Sequence, residues 1–190
     1  MTHATPPGAL AAGPTVVLRP VGPDDLTQIC RFPFTVSIRE PLEDREALQQ
    51  ALAETGFWTD EAGAAAIVDV ADGRLLGTAQ FYRAAPCIHG LELGYIIHRR
   101  EDRGRGFATE AVRLLTDHLF QVRPDTHRLQ LIIEVWNVAS WKLAERCGYV
   151  REGLLRSAGF AADDPADCFL YARTRRDWRQ AQNRPVSLGG

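Results

Sequence analysis

Between Leu91 and Leu119 the chain switches periodicity across a short stretch rich in glycine and arginine, and this junction restricts the possible folds more than any other feature. Leu91 to His98 (L-E-L-G-Y-I-I-H) predicts a strand. From Gly106 onward Phe107, Ala111, Leu114, Leu115 and Leu119 fall at helical spacing and predict an amphipathic helix that ends before Pro124. The polar segment Arg99 to Arg105 joins the two. A strand, a loop with glycines and a helix N-terminus in succession gather several backbone N–H groups at one place. The helix dipole adds to their attraction for an anion, and glycines let a ligand approach without Cβ clashes. Each helix-terminus contribution is roughly 0.3–2 kcal/mol, so several donors must act together.

The loop alone admits three readings. It could be a solvated connection with exposed arginines. It could be a dinucleotide fingerprint, since Gly104-Arg105-Gly106-Phe107-Ala108-Thr109 nearly fits G-x-G-x-x-G. It could cradle the pyrophosphate of coenzyme A. The dinucleotide pattern follows its strand at once and opens a βαβ unit. Here a charged stretch intervenes and an antiparallel hairpin lies upstream.

The surrounding pattern predicts an α/β domain with a mixed, mostly antiparallel sheet flanked by helices. Strands are expected at Thr15–Arg19, Ala64–Val70, Leu75–Tyr82, Leu91–His98, Arg128–Trp136, and near Tyr149–Ser157 and Asp167–Thr174. Helices are expected over Asp25–Cys30, Leu42–Glu54, Gly106 onward, and Ala139–Arg146. Asp72-Gly73 is a hairpin turn. The order lacks the strict alternation of a doubly wound parallel fold. One domain over residues 15–182 is expected, between a flexible tail at 1–14 and another at 183–190.

The chain has 190 residues, 45% of them hydrophobic, enough for one real core. A net charge of −2 argues against a nucleic-acid-binding surface. No apolar run is long enough to span a bilayer, and the N-terminus does not resemble a secretory signal. Cys30, Cys87, Cys147 and Cys168 are widely spaced, which disfavours a zinc site or a disulfide framework and suits buried thiols in a reducing cytoplasm. No metal is expected.

Four segments occur in a fixed order: Leu93-Gly94-Tyr95-Ile96-Ile97; Arg103-x-x-Gly106-x-Ala108-Thr109-Glu110-Ala111; Asn137-x-x-Ser140-x-x-Leu143; and Cys147-Gly148-Tyr149. Together they resemble the GNAT superfamily of N-acetyltransferases. The Leu18-Arg19-Pro20 opening and the Asp177-Trp178 ending are similar to its RimJ/RimL-type branch, which includes ribosomal-protein N-terminal acetyltransferases. The resemblance covers about residues 15–180.

What the resemblance implies is an acetyl-CoA site between two splayed strands. Strand 91–98 would carry a bulge and diverge from strand 128–136. Pantetheine would pair with exposed backbone at Ile96, Ile97 and His98. The pyrophosphate would sit on the N–H groups of Arg103, Gly104, Arg105, Gly106, Phe107, Ala108 and Thr109. Asn137 would hydrogen-bond the pantetheine arm, a role compatible with capping the helix that follows it. Ser140 would face the sulfur end, as a catalytic group or as a plain first-turn serine.

The chemistry is direct attack of an amine on the thioester in a ternary complex. Attack needs a neutral amine, hence a base. Glu92 is the first candidate, at a spacing where some GNAT enzymes place a glutamate; Glu134 and His98 are weaker ones. Regular alternation would put Glu92, Gly94, Ile96 and His98 on one face. A backbone N–H near Ile96 could stabilise the oxyanion. Many GNAT enzymes place a tyrosine shortly after the Asn as proton donor to sulfur. Here Ala144 takes that position, leaving Ser140, a water or Tyr149 to replace it.

The acceptor would be a protein N-terminus or an amine-bearing small molecule, bound near Phe32–Trp58 and Leu154–Cys168. Phe32, Phe34, Phe57, Trp58 and Phe160 could form an apolar wall. Glu40, Glu43, Asp44, Asp163, Asp164 and Asp167 could meet a cationic amine. A non-catalytic acyl-CoA-binding sensor is the alternative from a different class. A monomer or homodimer is expected, without membrane or nucleic-acid partners.

Overall fold

Eight strands hydrogen-bond into one sheet in the order β1-β2-β3-β4-β5-β6-β8-β7. They are β1 (Ala11–Ala12), β2 (Val16–Pro20), β3 (Ala62–Asp69), β4 (Leu75–Arg83), β5 (Leu91–Ile97), β6 (Arg128–Glu134), β7 (Val150–Leu155) and β8 (Cys168–Thr174). The helices are α1 (Leu26–Ile29), α2 (Arg45–Thr55), α3 (Phe107–Val122), α4 (Val138–Arg146) and α5 (Arg175–Gln182). This computed structural model describes residues 8–31, 45–85, 88–159, 161 and 163–183. Every adjacent strand pair is antiparallel except β5–β6, the mixed sheet expected from the order of elements.

Central β3 and β4 are buried along nearly their whole length because helices cover both faces of the sheet. On one face α3 and α4 bury Phe107, Ala111, Leu115, Leu119 and Leu143 against Phe81, Leu93, Leu131 and Tyr171. On the other, α1 and α2 bring Leu26, Ile29 and Leu48 onto Ala64, Ala66 and Val68. The Asp72-Gly73 hairpin forms as expected. Gly73 takes φ +73°, and the Asp72 carboxylate accepts from the Arg74 amide.

Two elements depart from the sequence reading. The ordered sheet begins before residue 15: Ala11 and Ala12, inside the expected N-terminal tail, pair with Leu18 and Val17 as a short edge strand. The segment is held by Glu110 of α3, which accepts from both the amide and the hydroxyl of Thr15. The second is α5, which sequence periodicity does not announce. Thr174 and Asp177 form a reciprocal capping box at its start. Arg175 is buried and donates to the carbonyls of Phe120, Arg123 and Thr126, serving the carbonyl groups at the end of α3. Residues 1–7, most of the expected tail at 183–190, and the start of the helix expected from Leu42 lie outside the described residues.

Candidate active site

The parallel pair β5–β6 holds together for only two rungs, Leu91–Leu129 and Glu92–Gln130. Beyond Glu92 the strands part. The register between β5 and β4 is unbroken from Arg83–Leu91 to Gly77–Ile97, so β5 carries no bulge. The sheet opens because β6 leaves β5, and the expected bulge in strand 91–98 is not what separates them.

This unbroken ladder decides which backbone groups face the opening. At its ends the Ala84 amide bonds Gly90 (3.0 Å) and the His98 amide bonds Leu76 (2.9 Å). Antiparallel pairs alternate between bonded and non-bonded residues. Glu92, Gly94, Ile96 and His98 therefore direct their backbone to β4. Leu93, Tyr95 and Ile97 direct theirs toward β6 and the opening, where the Leu93 N–H completes the Glu92–Gln130 rung and the Ile97 carbonyl accepts from Arg103 Nε. Of the three residues expected to offer backbone to pantetheine, Ile97 faces the opening, whereas Ile96 and His98 face β4. The Ile96 N–H, near which the oxyanion donor was expected, likewise faces β4.

A cavity of about 730 Å³ fills the opening on the α3–α4 face. Tyr95, Ile96 and Ile97 line it from β5; Arg103, Gly104, Gly106, Phe107, Ala108 and Thr109 from the loop and the start of α3. Asn137, Ser140, Lys142 and Arg146 line it from α4. The sequence thus identified most of the wall. Lys142 and Arg146 were missed because two basic residues on a helix resemble a solvated face.

The loop suits an anion. Gly106 is the N-cap of α3 in a left-handed conformation (φ +91°), with no side chain capping the helix, and Gly104 also has positive φ (+74°). The first free intrahelical bond runs from Glu110 N to Gly106 O, which leaves the amides of Phe107, Ala108 and Thr109 without helical acceptors. An added Cβ at Gly106 meets nothing within 4 Å, so that side of the loop is open. Phosphate oxygens match these donors in charge and geometry, and the residues present fit the pyrophosphate of coenzyme A.

The arginines of the loop hold it as well as charging it. Arg103 donates through Nε to Ile97 O (3.1 Å), tying the loop to the end of β5. Asp102 is 2% exposed and accepts a two-pronged bond from Arg74 at 2.6 and 3.0 Å. Arg105 stands 3.5 Å from the same carboxylate and lies over the Phe107 ring. The Arg74 partner keeps the Asp102 carboxyl below its usual range. The β3–β4 turn, far away in sequence, thus anchors the loop. Arg74 and Asp102 carried no signal that would pair them.

On α4, the Asn137 side chain accepts from the Ser140 amide (3.3 Å), so the helix-capping role is realised on the wall of the cavity. Ala144 is fully buried in the core. Tyr149 cannot replace the missing tyrosine: its hydroxyl is bonded to Thr116 (2.8 Å) deep in the core. Cys147 is buried, and burial lifts its thiol to about 11, consistent with a core residue.

Glu92 lies at the apex, on the last rung before the strands part, and points to the face opposite the cavity. It is 4% exposed. One carboxylate oxygen accepts from the Tyr82 hydroxyl (2.8 Å) and the other from the Gln130 amide (2.9 Å). Burial raises its pKa, partly offset by these two bonds. Thr78, Gln80 and Gln130 are also buried, so a polar band crosses this face of the sheet. The alternation Thr78-x-Gln80-x-Tyr82 in an otherwise apolar strand was the available signal. His98, a weaker base candidate, accepts from Gln28 at Nδ1 (3.0 Å) and is pushed down to about 4 by burial, which holds it neutral. Glu134 closes β6, well past the apex.

Of the proposed acceptor wall, Phe57 is fully buried in the α1–α2 core and Trp58 packs edge-on against Phe81 at 4.9 Å. Both are packing residues. The Asp167 carboxylate accepts from the Ser157 amide. Phe32, Phe34, Glu40, Glu43, Asp44 and Phe160 lie outside the described residues. Among the described residues no group of His, Cys, Asp and Glu could hold a metal ion, and no helix is long and apolar enough to cross a membrane.

A mixed sheet parted at its single parallel junction among the described strands, with a glycine-led helix N-terminus over the parting, defines an α/β domain whose open seam lies beside amides suited to an anion. A family model described as an acetyltransferase (GNAT) domain matches residues 15–150, and the chain belongs to that family. It is 31% identical over 102 residues to the ribosomal-protein-serine acetyltransferase of Escherichia coli strain K12, an alignment covering 54% of this chain and 56% of that protein. It is 30% identical over 91 residues to the probable N-acetyltransferase YjcK of Bacillus subtilis strain 168, covering 47% and 49%. The chain spans about half the length of the curated relatives it matches. Among solved structures the fold is shared with a GNAT-family acetyltransferase from Bacillus anthracis (TM-score 0.70, 16% identity, 87% and 98% of the two chains). It is also shared with the spermidine/spermine N-acetyltransferase SpeG of Vibrio cholerae (TM-score 0.72, 20% identity, 89% and 98%).

Proposed function

We propose that this domain moves an acetyl group from acetyl-CoA to a primary amine. The observation that carries the reading is the parting of β5 from β6 just beyond Glu92, with unused backbone on one side and free helix amides at its mouth. The amides of Phe107 to Thr109 hold the pyrophosphate. The Leu93 carbonyl, the Tyr95 backbone and the Ile97 N–H pair with the pantetheine arm as a missing strand would. Coenzyme A supplies an activated acyl group and a thiol as leaving group.

The two faces divide the labour. The α3–α4 face holds the donor, and the Glu92 face admits the amine through the same gap. Glu92 accepts the amine proton at its carboxylate, either directly or through the Tyr82 hydroxyl bonded to it. The backbone N–H of Tyr95, in the opening, stabilises the oxyanion. Ser140 donates a hydrogen bond to the leaving sulfur. A thiol pKa of about 8.5 makes this demand modest.

We infer that the acceptor is a protein N-terminus of the ribosomal-protein type or a small-molecule amine. The relationship to the Escherichia coli enzyme supports the first and the RimJ/RimL-type motifs agree with it. The test is mass spectrometry of a cell extract incubated with the domain and isotopically labelled acetyl-CoA. Labelled N-termini or a labelled small amine identify the acceptor class. Tight coenzyme A binding without any labelled product would replace this reading with that of an acyl-CoA sensor.

A further inference from the structure

Two buried side-chain polar atoms among the described residues have no hydrogen-bond partner: the Tyr95 hydroxyl and the Trp141 indole N–H. Tyr95 of β5 and Trp141 of α4 both pack against the larger core cluster. A buried hydroxyl left unpaired costs about 1–3 kcal/mol, so such a group calls for an explanation in function or in a partner. Tyr95 lies on the wall of the cavity, as does Ser140. The phenol ring packs against the cluster that contains Leu143, Ala144 and Cys147. The Ser140 hydroxyl is near enough to weigh on the phenol without forming a bond of good geometry, while burial lifts the phenol to about 12. It therefore stays a donor throughout the working range.

We propose that Tyr95 is a positioning residue for Ser140, its hydroxyl donating to the serine oxygen so that the serine proton is turned toward the sulfur of coenzyme A. Ser140 has one proton and two acceptor sites. If Tyr95 occupies one acceptor site, the serine O–H is directed into the cavity and its donating power is increased by the bond it accepts. The hydroxyl is unpaired in the free protein because the serine settles only when sulfur is there to receive its proton. A strand tyrosine and a helix serine thus divide the work that Ala144 cannot do. The inference rests on the acetyl-transfer reading, but part of its test does not.

The variants are Tyr95→Phe, Ser140→Ala and the double substitution. The first readout is thermal stability without ligand: Tyr95→Phe removes only an unpaired hydroxyl, so its melting temperature should equal or exceed the parent's. The second is calorimetric binding of coenzyme A against desulfo-coenzyme A. The parent should favour coenzyme A by about threefold or more, the scale of one neutral hydrogen bond. Tyr95→Phe should erase that preference and leave affinity for the desulfo compound unchanged. The third is acetyl transfer: kcat should fall about tenfold in Tyr95→Phe with KM for acetyl-CoA unchanged, and the double variant should be no slower than Ser140→Ala. A clear loss of ligand-free stability in Tyr95→Phe, an equal loss of affinity for both compounds, or additive effects in the double variant would each overturn the proposal. If the parent transfers acetyl to no amine, the transfer reading fails while the two binding arms still decide the Tyr95–Ser140 pair.

Discussion

Burial and hydrogen bonding pull Glu92 in opposite directions, and the balance leaves its pKa raised. A raised carboxyl pKa in the folded state means that its contribution to stability is complete below the unfolded value and is lost as pH rises through the folded value. Glu92→Gln mimics the protonated form and can accept from Gln130 while donating to the Tyr82 oxygen. The variant should melt above the parent at neutral pH, and no higher in acid. Its kcat should fall by about 10²–10⁴, with coenzyme A affinity unchanged by calorimetry. In the parent, turnover should decline as pH falls through the raised Glu92 value. Unaltered steady-state kinetics would remove Glu92 from the reaction. Gly106 bears on binding. At φ +91° an alanine is strained by about 1–2 kcal/mol, and its methyl points into the open side of the loop. Gly106→Ala should weaken coenzyme A binding by about tenfold or more in calorimetry; unchanged binding would mean that the pyrophosphate sits elsewhere.

At the scale of elements, the loop before α3 is held by groups that a linear reading cannot connect. Asp102 is clamped by Arg74 from the β3–β4 turn, and Arg103 is pinned to Ile97. Asp102→Asn and Arg74→Ala should each reduce coenzyme A affinity by about three- to tenfold while the far-ultraviolet circular dichroism stays unchanged. The double variant should be no weaker than the worse single one, because both break one clamp. Additive losses would show two separate effects. What was legible in the sequence follows the same division. The loop was legible as an anion site and Asn137 as a helix cap because glycine spacing and capping are local constraints, whereas their coenzyme A roles and that of Ser140 came from the GNAT resemblance. The mixed sheet was readable because alternation and turn residues are local too. The backbone groups that face the opening were displaced by one residue, since a bulge in β5 was expected where β6 instead departs. Helix α5 escaped notice because it is short and polar, although Thr174-x-x-Asp177 marks its start. Tyr82 and Gln130 were missed because their task is defined only by a carboxylate on a neighbouring strand.

For the molecule as a whole, the proposed reaction brings donor and acceptor to one gap from opposite faces of the sheet. Both must be present together, so initial-velocity plots should intersect, and intact mass spectrometry should find no acetylated protein after exposure to acetyl-CoA alone. Parallel plots with a covalent adduct would contradict direct attack. Acid tolerance is another whole-molecule property. His98 is held neutral by burial, with its folded value near 4 against 6.5 when unperturbed. The unfolded chain therefore binds the extra proton first, and His98 withdraws stability as pH falls from 6.5 toward 4. Denaturant titrations of a His98→Gln variant should show a flatter decline across that window than the parent.

The two rungs that join β5 to β6 make the sheet a hinge-like structure with a ligand-shaped seam. Strands β1 to β5 form one leaf and β6 to β8 the other, stitched on one face by α3 and α4. A pantetheine arm laid along Leu93, Tyr95 and Ile97 would close that seam as a surrogate strand. Amide hydrogen exchange at Tyr95 and Ile97 should slow on binding coenzyme A, and the melting temperature should climb with ligand concentration by mass action. The rigidity of this domain, and with it its resistance to proteolysis, would then act as a gauge of how much coenzyme A its surroundings hold.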